Sequence, residues 1–218
     1  MNAVLTLEEV GVSLVGRDLF RPLDLTVAAG ETVAVMGASG QGKSSLLLGI
    51  CGGLRPPLRL TGEVTLDGHS LAGLPPERRR LGVLFQDPML FPHLTVRENL
   101  AFAVPRHRSR EQRARAIDDA LGRAELLAFG ERRPATLSGG QAARIALVRA
   151  MLAEPAALLL DEPFAKLDVP LRTRIRAFVR SVVADAGIPC LLVTHDIADA
   201  EELGARVVAL EAPSAGEG

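Results

Sequence analysis

Gly37-Ala38-Ser39-Gly40-Gln41-Gly42-Lys43-Ser44-Ser45 is the segment whose residue types and spacing most directly imply chemistry. Glycines let a backbone curl around an anion without Cβ clashes. A helix opening behind them would turn its unpaired N–H groups and positive dipole end toward the same anion. Lys43 would reach the outer phosphates of a polyphosphate, and the Ser44 hydroxyl would ligate Mg²⁺ beside them. The loop follows the apolar run Thr32-Val33-Ala34-Val35-Met36 and leads into Ser44-Ser45-Leu46-Leu47-Leu48-Gly49-Ile50, the strand–loop–helix context such a cradle needs. Basic positions are otherwise almost all arginine, Lys166 being the other lysine. This pattern predicts a nucleoside triphosphate site.

A second set of groups would complete it. Ala156-Ala157-Leu158-Leu159-Leu160 is a continuous apolar run ending in Asp161-Glu162-Pro163. Such a run suits a buried parallel strand, whose tip presents side chains at the ligand crevice. Asp161 would hold the Mg²⁺ shell, and Glu162 would face the terminal phosphate and polarise a water. Two acidic residues before a proline can also simply begin a turn; the phosphate loop favours the chemical reading. Leu137-Ser138-Gly139-Gly140-Gln141 carries two meanings as well. Ser138 with Gln141 three residues on is a capping box, and the same geometry makes a helix N-terminus that can hold an anion.

The elements that must position these groups follow from periodicity. Strand-like runs cover Ala3 to Leu7, Leu23 to Val27, Thr32 to Met36, Gly62 to Leu66 and Leu81 to Phe85, with Gly52 to Pro57 a Gly/Pro-rich connection. Residues 96 to 128 lose strand character and place Ala116, Ala120, Leu121 and Ala124 at threes and fours, which predicts a helical insert. Helix Gln141–Leu152, strand Ala157–Asp161, helix Leu171–Ala184, strand Pro189–Val193, helix Ile197–Leu203 and strand Arg206–Leu210 then alternate, as parallel α/β structure does. One domain over 1–218 is expected, with 1–86 and 136–212 as the catalytic core, 87–135 as the insert and 213–218 as a disordered tail.

Composition narrows the setting. With 25 basic against 26 acidic residues the net charge is −1, and no nucleic-acid partner is expected. The clusters Arg78-Arg79-Arg80 and Arg106 to Arg115 read as solvated faces. Cys51 and Cys190 lie among apolar residues and read as core. No stretch approaches ~18 apolar residues without a charge, and the first ten residues lack a basic-then-apolar leader pattern. A cytoplasmic protein is expected, reaching a membrane only through partners.

With these motifs in order, the chain resembles an ATP-binding-cassette ATPase, the nucleotide-binding subunit of an ABC transporter. The resemblance covers nearly the whole chain: phosphate loop Gly37–Ser45, Q-loop Gln86, signature Leu137–Gln141, Walker B pair Asp161 and Glu162, D-loop ending at Leu167-Asp168, and switch histidine His195 in Val193-Thr194-His195-Asp196. It implies a P-loop NTPase fold with a mixed sheet, antiparallel strands joining a parallel RecA-like core, and an inserted helical subdomain. It also implies a head-to-tail homodimer or pseudo-dimer that sandwiches ATP between Lys43 of one copy and Ser138-Gly139-Gly140-Gln141 of the other. Glu162 would be general base or water positioner, His195 would hold the γ-phosphate and water in line, and Gln86 would contact Mg²⁺ together with Ser44 and Asp161. The stretches Leu74 to Gln86 and Leu90 to Asn99, with Asp161-Glu162-Pro163-Phe164, are similar to prokaryotic importer cassettes of the thiamine, iron, polyamine, molybdate and sulfate branch. In that family the segment around 87–100 receives a helix of an integral membrane permease, so Met89, Leu90 and Phe91 would be its apolar contacts unless they are core of the insert. A substrate-binding protein would be an indirect partner.

The chain departs from the family pattern in places. Leu14 or Val15 stands where an aromatic ring usually meets adenine, and Phe20 is offset from that spot. The D-loop has Ala165 where serine is common, followed by Lys166, expected near the dimer interface. Ala143 replaces a usually polar residue of the signature helix. The end soon after Leu210 implies that a regulatory extension is lacking. Two other classes fit less well: an export or lipid-extraction cassette, and a soluble cassette of DNA repair or translation, whose long heptads or doubled cassettes are not seen here.

Overall fold

In the computed structural model the described residues are 3–165 and 167–213; the expectations for Lys166 and for the tail beyond Pro213 lie outside them. Strands β1 (Leu5–Leu14), β2 (Arg17–Asp18), β3 (Leu23–Val27), β5 (Leu58–Leu66) and β6 (His69–Ser70) form an antiparallel sheet in the order β2-β1-β5-β6, with β3 also paired to β1. Strands β4 (Thr32–Met36), β7 (Leu81–Leu84), β8 (Ala157–Asp161), β9 (Cys190–Thr194) and β10 (Arg206–Ala209) form a parallel sheet in the order β10-β4-β9-β8-β7. The mixed architecture thus takes the form of two sheets. Helices are α1 (Lys43–Ile50), α2 (Val96–Ala101), α3 (Arg110–Arg123), α4 (Gly139–Leu152), α5 (Val169–Ala186) and α6 (Ile197–Leu203).

The parallel strands read as unbroken apolar runs because both of their faces are covered. Val33, Val35, Leu159, Leu191 and Val193 point to the core shared with α1 and the antiparallel sheet. Their alternates Ala34, Leu158, Leu160, Cys190 and Leu192 point to the core under α4, α5 and α6. Consequently α1 and α4, whose starts are the two candidate anion sites, lie on opposite faces of one sheet. A third, smaller core joins Val96 and Leu100 of α2 to Ile117 and Leu121 of α3, with Ile145 and Val148 of α4 beneath. The helical pattern of 96–128 is split by a turn holding Pro105, which cannot donate a helix hydrogen bond.

Strands β1 and β5 run longer than their sequence patterns suggest. Glu9 (φ 48°) and Gly62 (φ 76°) face one another at a bulge where the pairing register shifts. A Cβ at residue 62 would stand 2.2 Å from the Glu9 carbonyl oxygen, so glycine continues the strand here instead of opening it. The arginine clusters are not simply solvated. Arg79 donates to the Gly49 (3.1 Å) and Ile50 (2.6 Å) carbonyls at the end of α1, and Arg113 donates to the Ala101 carbonyl (2.7 Å) at the end of α2. Each supplies cationic donors where a helix leaves its last carbonyls unpaired. Both cysteines are buried free thiols, as expected.

Candidate functional site

The phosphate loop joins the end of β4 to the start of α1. Gly40 (φ 79°) and Gly42 (φ 90°) adopt left-handed conformations that other residues rarely hold. Gly42 is also the N-cap of α1 and brings no side chain to it, so no capping side chain takes up the first amides of the helix. Gln41 braces the curve: its Oε1 accepts from the Ala38 amide at 2.7 Å and its Nε2 donates to the Leu210 carbonyl at 2.5 Å. Lys43 is 95% buried by its surroundings, at 5% exposure, and its Nζ donates to the Gly37 (3.0 Å) and Ala38 (2.8 Å) carbonyls. An ammonium has three donors, so the loop fixes the charge in place and leaves one donor for an anion. Ser39 stands exposed on the loop, and Ser45 follows Ser44 in the first turn of α1.

Ser44 Oγ donates to Asp161 Oδ1 at 2.9 Å, joining the helix start to the tip of β8. Burial pushes the Asp161 carboxyl above the usual carboxylate range; the neighbouring Glu162 adds to the rise, while the Ser44 hydroxyl and Lys43 oppose it. A buried carboxylate held up in this way gains most from a nearby cation. The oxygen pair of Ser44 and Asp161 suits Mg²⁺, which takes few protein ligands and completes its shell with water and phosphate. Among the described residues no cluster of three or more His, Cys, Asp and Glu could hold a metal by itself.

Glu162 is in the left-handed region at φ 43°, an uncommon conformation for a residue with a side chain. Two hydrogen bonds keep it there: its amide donates to the Val193 carbonyl at 2.9 Å, and its carbonyl accepts from the Ala165 amide at 3.2 Å. Strain of this kind collects where a side chain must be aimed. Glu162 Oε1 lies 3.2 Å from His195 Nδ1, and the imidazole is 59% exposed toward the same edge of the sheet. Gln86 is exposed two residues beyond β7, whose last residue pairs with Leu160 of β8, so it belongs to the same strand-end edge. Asp168 caps α5 by accepting the Leu171 amide at 2.9 Å.

The signature turn is a capping box in fact. Ser138 Oγ accepts from the Gln141 amide (3.3 Å), and Gln141 Oε1 accepts from the Ser138 amide (2.9 Å). The hydroxyl keeps its own proton to donate, because capping uses it as an acceptor. Ser138 and Gly139 are exposed and Gly140 is buried.

An ABC transporter family model matches residues 20–165. The chain belongs to the ABC transporter family. Its ATP-binding relatives include YnjD of Escherichia coli K12, 43% identical over 90% of each chain, and the thiamine import ATP-binding protein ThiQ of Cereibacter sphaeroides, 44% identical over 85% of this chain and 79% of the relative. Among solved structures, the dimeric ATP-binding cassette MJ0796 in a post-hydrolysis state with ADP and phosphate is similar, with TM-score 0.78 and 31% identity over 95% of this chain and 94% of that one. The protein is an ATPase cassette of this family.

Within the cassette, the structure brings Lys43, Ser44, Asp161, Glu162 and His195 together and leaves Ser138–Gln141 on α4, over the other face of the sheet. Phe20 is fully buried in the core, beside Leu19 and Gly42, and is closed to a stacking ligand. Val15, 79% exposed, stands at the surface after β1. Several positioning groups carry no sequence motif of their own. Asn99 is fully buried, accepts from the Phe91 amide at 2.8 Å and donates to the Phe91 (3.1 Å) and Thr95 (2.9 Å) carbonyls, fixing the loop before α2. Arg149 of α4 donates to the Met89 and Pro88 carbonyls, at 2.8 and 3.1 Å, in the segment after Gln86.

Proposed function

We propose that the chain energises a membrane importer of a small solute or ion, as one of two cassettes that hydrolyse ATP at their shared interface. The observation that carries this is the convergence of Lys43, Ser44, Asp161, Glu162 and His195 at the ends of the adjacent strands β4, β9 and β8. In this reading the loop amides of residues 37–45 and the third donor of Lys43 grip the β- and γ-phosphates. Ser44 and Asp161, with Gln86 at the same edge, hold Mg²⁺, which supplies neutralising charge. Glu162 orients and deprotonates the attacking water. His195 holds the γ-phosphate in line, and its contact with Glu162 fixes the distance between base and phosphate. This is positioning and charge stabilisation, as phosphoryl transfer requires.

Each active site needs the signature of a second copy. The placement of α1 and α4 over opposite sheet faces supports that, since a nucleotide seated on Lys43 has the Ser138 hydroxyl of its own chain on the far helix layer. The exposed Ser138 and Gly139 are the groups that would complete the partner's phosphate site, with Gln141 bracing them. Asp168, at the α5 cap, would mark the D-loop side of that interface.

The permease would dock on the segment after Gln86. Met89 (64% exposed), Phe91 and Phe102 (70% exposed) form an apolar surface there, the two phenylalanine rings 5.1 Å apart, which supports the reading. No helix among the described residues is long and apolar enough to cross a membrane; attachment to the cytoplasmic face of the plasma membrane would run through this contact. The helical insert 87–135, with its own small core, would carry the docking surface, and 1–86 with 136–212 the chemistry. The import role of ThiQ supports import, with specificity residing in the permease and a substrate-binding protein.

Tagged Glu162→Gln chain captured from detergent-solubilised membranes in Mg-ATP tests this. A polytopic membrane protein is the expected companion. Recovery of soluble protein or nucleic acid alone would overturn the transport role.

A further inference from the structure

His195 stands between Thr194 and Asp196, and both are tied to arginines of α5, Asp196 directly and Thr194 through Asp199. On one side, Thr194 Oγ1 donates to Asp199 Oδ2 at 2.6 Å, and Arg176 Nε donates to Asp199 Oδ1 at 2.8 Å. On the other, Arg172 Nη1 donates to Asp196 Oδ2 at 3.0 Å. The Asp196 amide closes the turn on Thr194 Oγ1 at 3.1 Å, and Asp196 Oδ1 caps α6 through the Ala198 amide at 3.0 Å. Residues four apart share a helix face, so Arg172 and Arg176 clamp the backbone on both flanks of the imidazole from one rigid element.

The two arginines differ in what else they hold. Arg176 and Asp199 are buried together, and the guanidinium lies over the Phe164 ring at 5.7 Å. Arg176 also donates to Glu202 Oε1 at 2.9 Å and to Asp196 Oδ2 at 3.4 Å, so it anchors a buried network whose rupture would strand charge. Arg172 is more open, at 27% side-chain exposure, with Asp196 at 31%. Its second nitrogen, Nη2, donates to the Leu167 carbonyl at 3.3 Å, in the loop that ends at Asp168. One planar fork therefore spans two loops: the one before α5 and the one that carries His195. A lysine, with a single compact charge, is poorly shaped for that span. A partly exposed pair of this kind adds little to stability. What it fixes is the relative position of the two loops.

We propose that Arg172 is a positioning residue for hydrolysis: by tying the Leu167–Asp168 loop to Asp196 it sets where His195 stands relative to Glu162, so that displacement of the loop before α5 displaces the imidazole. The inference rests on the reading of Glu162 and His195 as the hydrolytic pair. Arg172 touches neither of them and acts through Asp196.

The test is steady-state ATP hydrolysis by the full chain, with thermal unfolding alongside. Arg172→Gln is expected to lower kcat about 10-fold or more, because small misplacements of catalytic groups are costly in rate, while KM for ATP and Tm stay near wild type. Asp196→Asn, which keeps the Oδ1 acceptor for the α6 cap, is expected to show the same split. Asp196 Oδ2 also accepts from Arg176 Nη2 at 3.4 Å, so Asp196→Asn removes both contacts. The double variant should lose about what Asp196→Asn alone loses, since Arg172 acts through Asp196. Unchanged kcat in both single variants, or losses that multiply in the double variant, would overturn the proposal. If Arg172→Gln does not fold, Asp196→Asn carries the test, and wild-type kcat in it is the overturning result. Glu162→Gln is run in parallel. Hydrolysis that survives that substitution would overturn the hydrolytic-pair reading itself, whereas loss in Glu162→Gln with none in the Arg172 and Asp196 variants overturns the positioning role alone.

Discussion

Gly140 and Leu171 meet so closely that a methyl group on residue 140 would stand 2.3 Å from Leu171 Cδ2. The second glycine of the signature is therefore a packing residue, letting the start of α4 cross the start of α5. The first one, Gly139, has open space around its Cβ position, with only Leu167 Cδ2 at 3.9 Å. Gly140→Ala is expected to destabilise the fold by about 1–3 kcal/mol through overpacking, read as a lowered Tm. Gly139→Ala should leave Tm near wild type and lower ATP hydrolysis, because its methyl group would occupy the face offered to a phosphate. Equal Tm values for the two variants would contradict the division of roles.

Lys43 Nζ is fixed by two carbonyls of its own loop before any ligand contact is counted. Lys43→Ala would remove a positioned charge and free the curve of the loop together. Loss of a charge-assisted hydrogen bond of about 1.5–3 kcal/mol predicts nucleotide affinity weaker by roughly 10- to 100-fold. Equilibrium titration with a fluorescent ATP analogue reads this directly, and wild-type affinity in the variant would refute the phosphate role.

Glu31 immediately precedes β4 and binds Arg206 of β10 at 2.8 Å. Burial pushes its carboxyl up, but the hydrogen bonds from Arg206 and the Ala28 amide outweigh this and hold it below the ordinary glutamate value. A carboxylate depressed in the folded state stabilises above its unfolded value and loses that contribution as pH falls through the folded one. Glu31→Gln should thus be less stable than wild type at neutral pH, and the two unfolding curves should converge as pH falls below about 4.3. A gap that persists in acid would show that the effect is packing and not charge.

Cys190 is fully buried on β9, and burial pushes its thiol up to about 12; Cys51, at the end of α1, is raised for the same reason. The thiolate is the reactive form. Native protein at mildly alkaline pH should therefore show no fast-reacting thiol toward a colorimetric disulfide reagent, and both cysteines should react after denaturation. A fast native thiol would contradict the placement of that residue in the core.

Much of this was legible in the sequence for a physical reason. The phosphate loop, the acidic tip of β8 and the alternating α/β half are local patterns, and their elements form where periodicity puts them. What escaped was long-range. Gly62 marks a bulge only because Glu9 lies across from it. Arg79 and Arg113 looked like members of solvated clusters, but helix C-termini remote in sequence supply their acceptors. Arg172 and Asp196 are 24 residues apart, and nothing in either segment announces that they join. The burial of Phe20 was likewise unreadable, because an aromatic residue after a polar turn carries no sign of which way it faces.

The central claim is that Glu162, held at 3.2 Å from His195 on the edge shared with Lys43 and Asp161, drives ATP hydrolysis. The most direct measurement compares phosphate release by wild type and Glu162→Gln under saturating Mg-ATP, with nucleotide binding measured on the same samples. The account predicts that ATP binding is retained and that steady hydrolysis falls by about 100-fold or more, the scale of a lost general base. Undiminished phosphate release from the variant would contradict it.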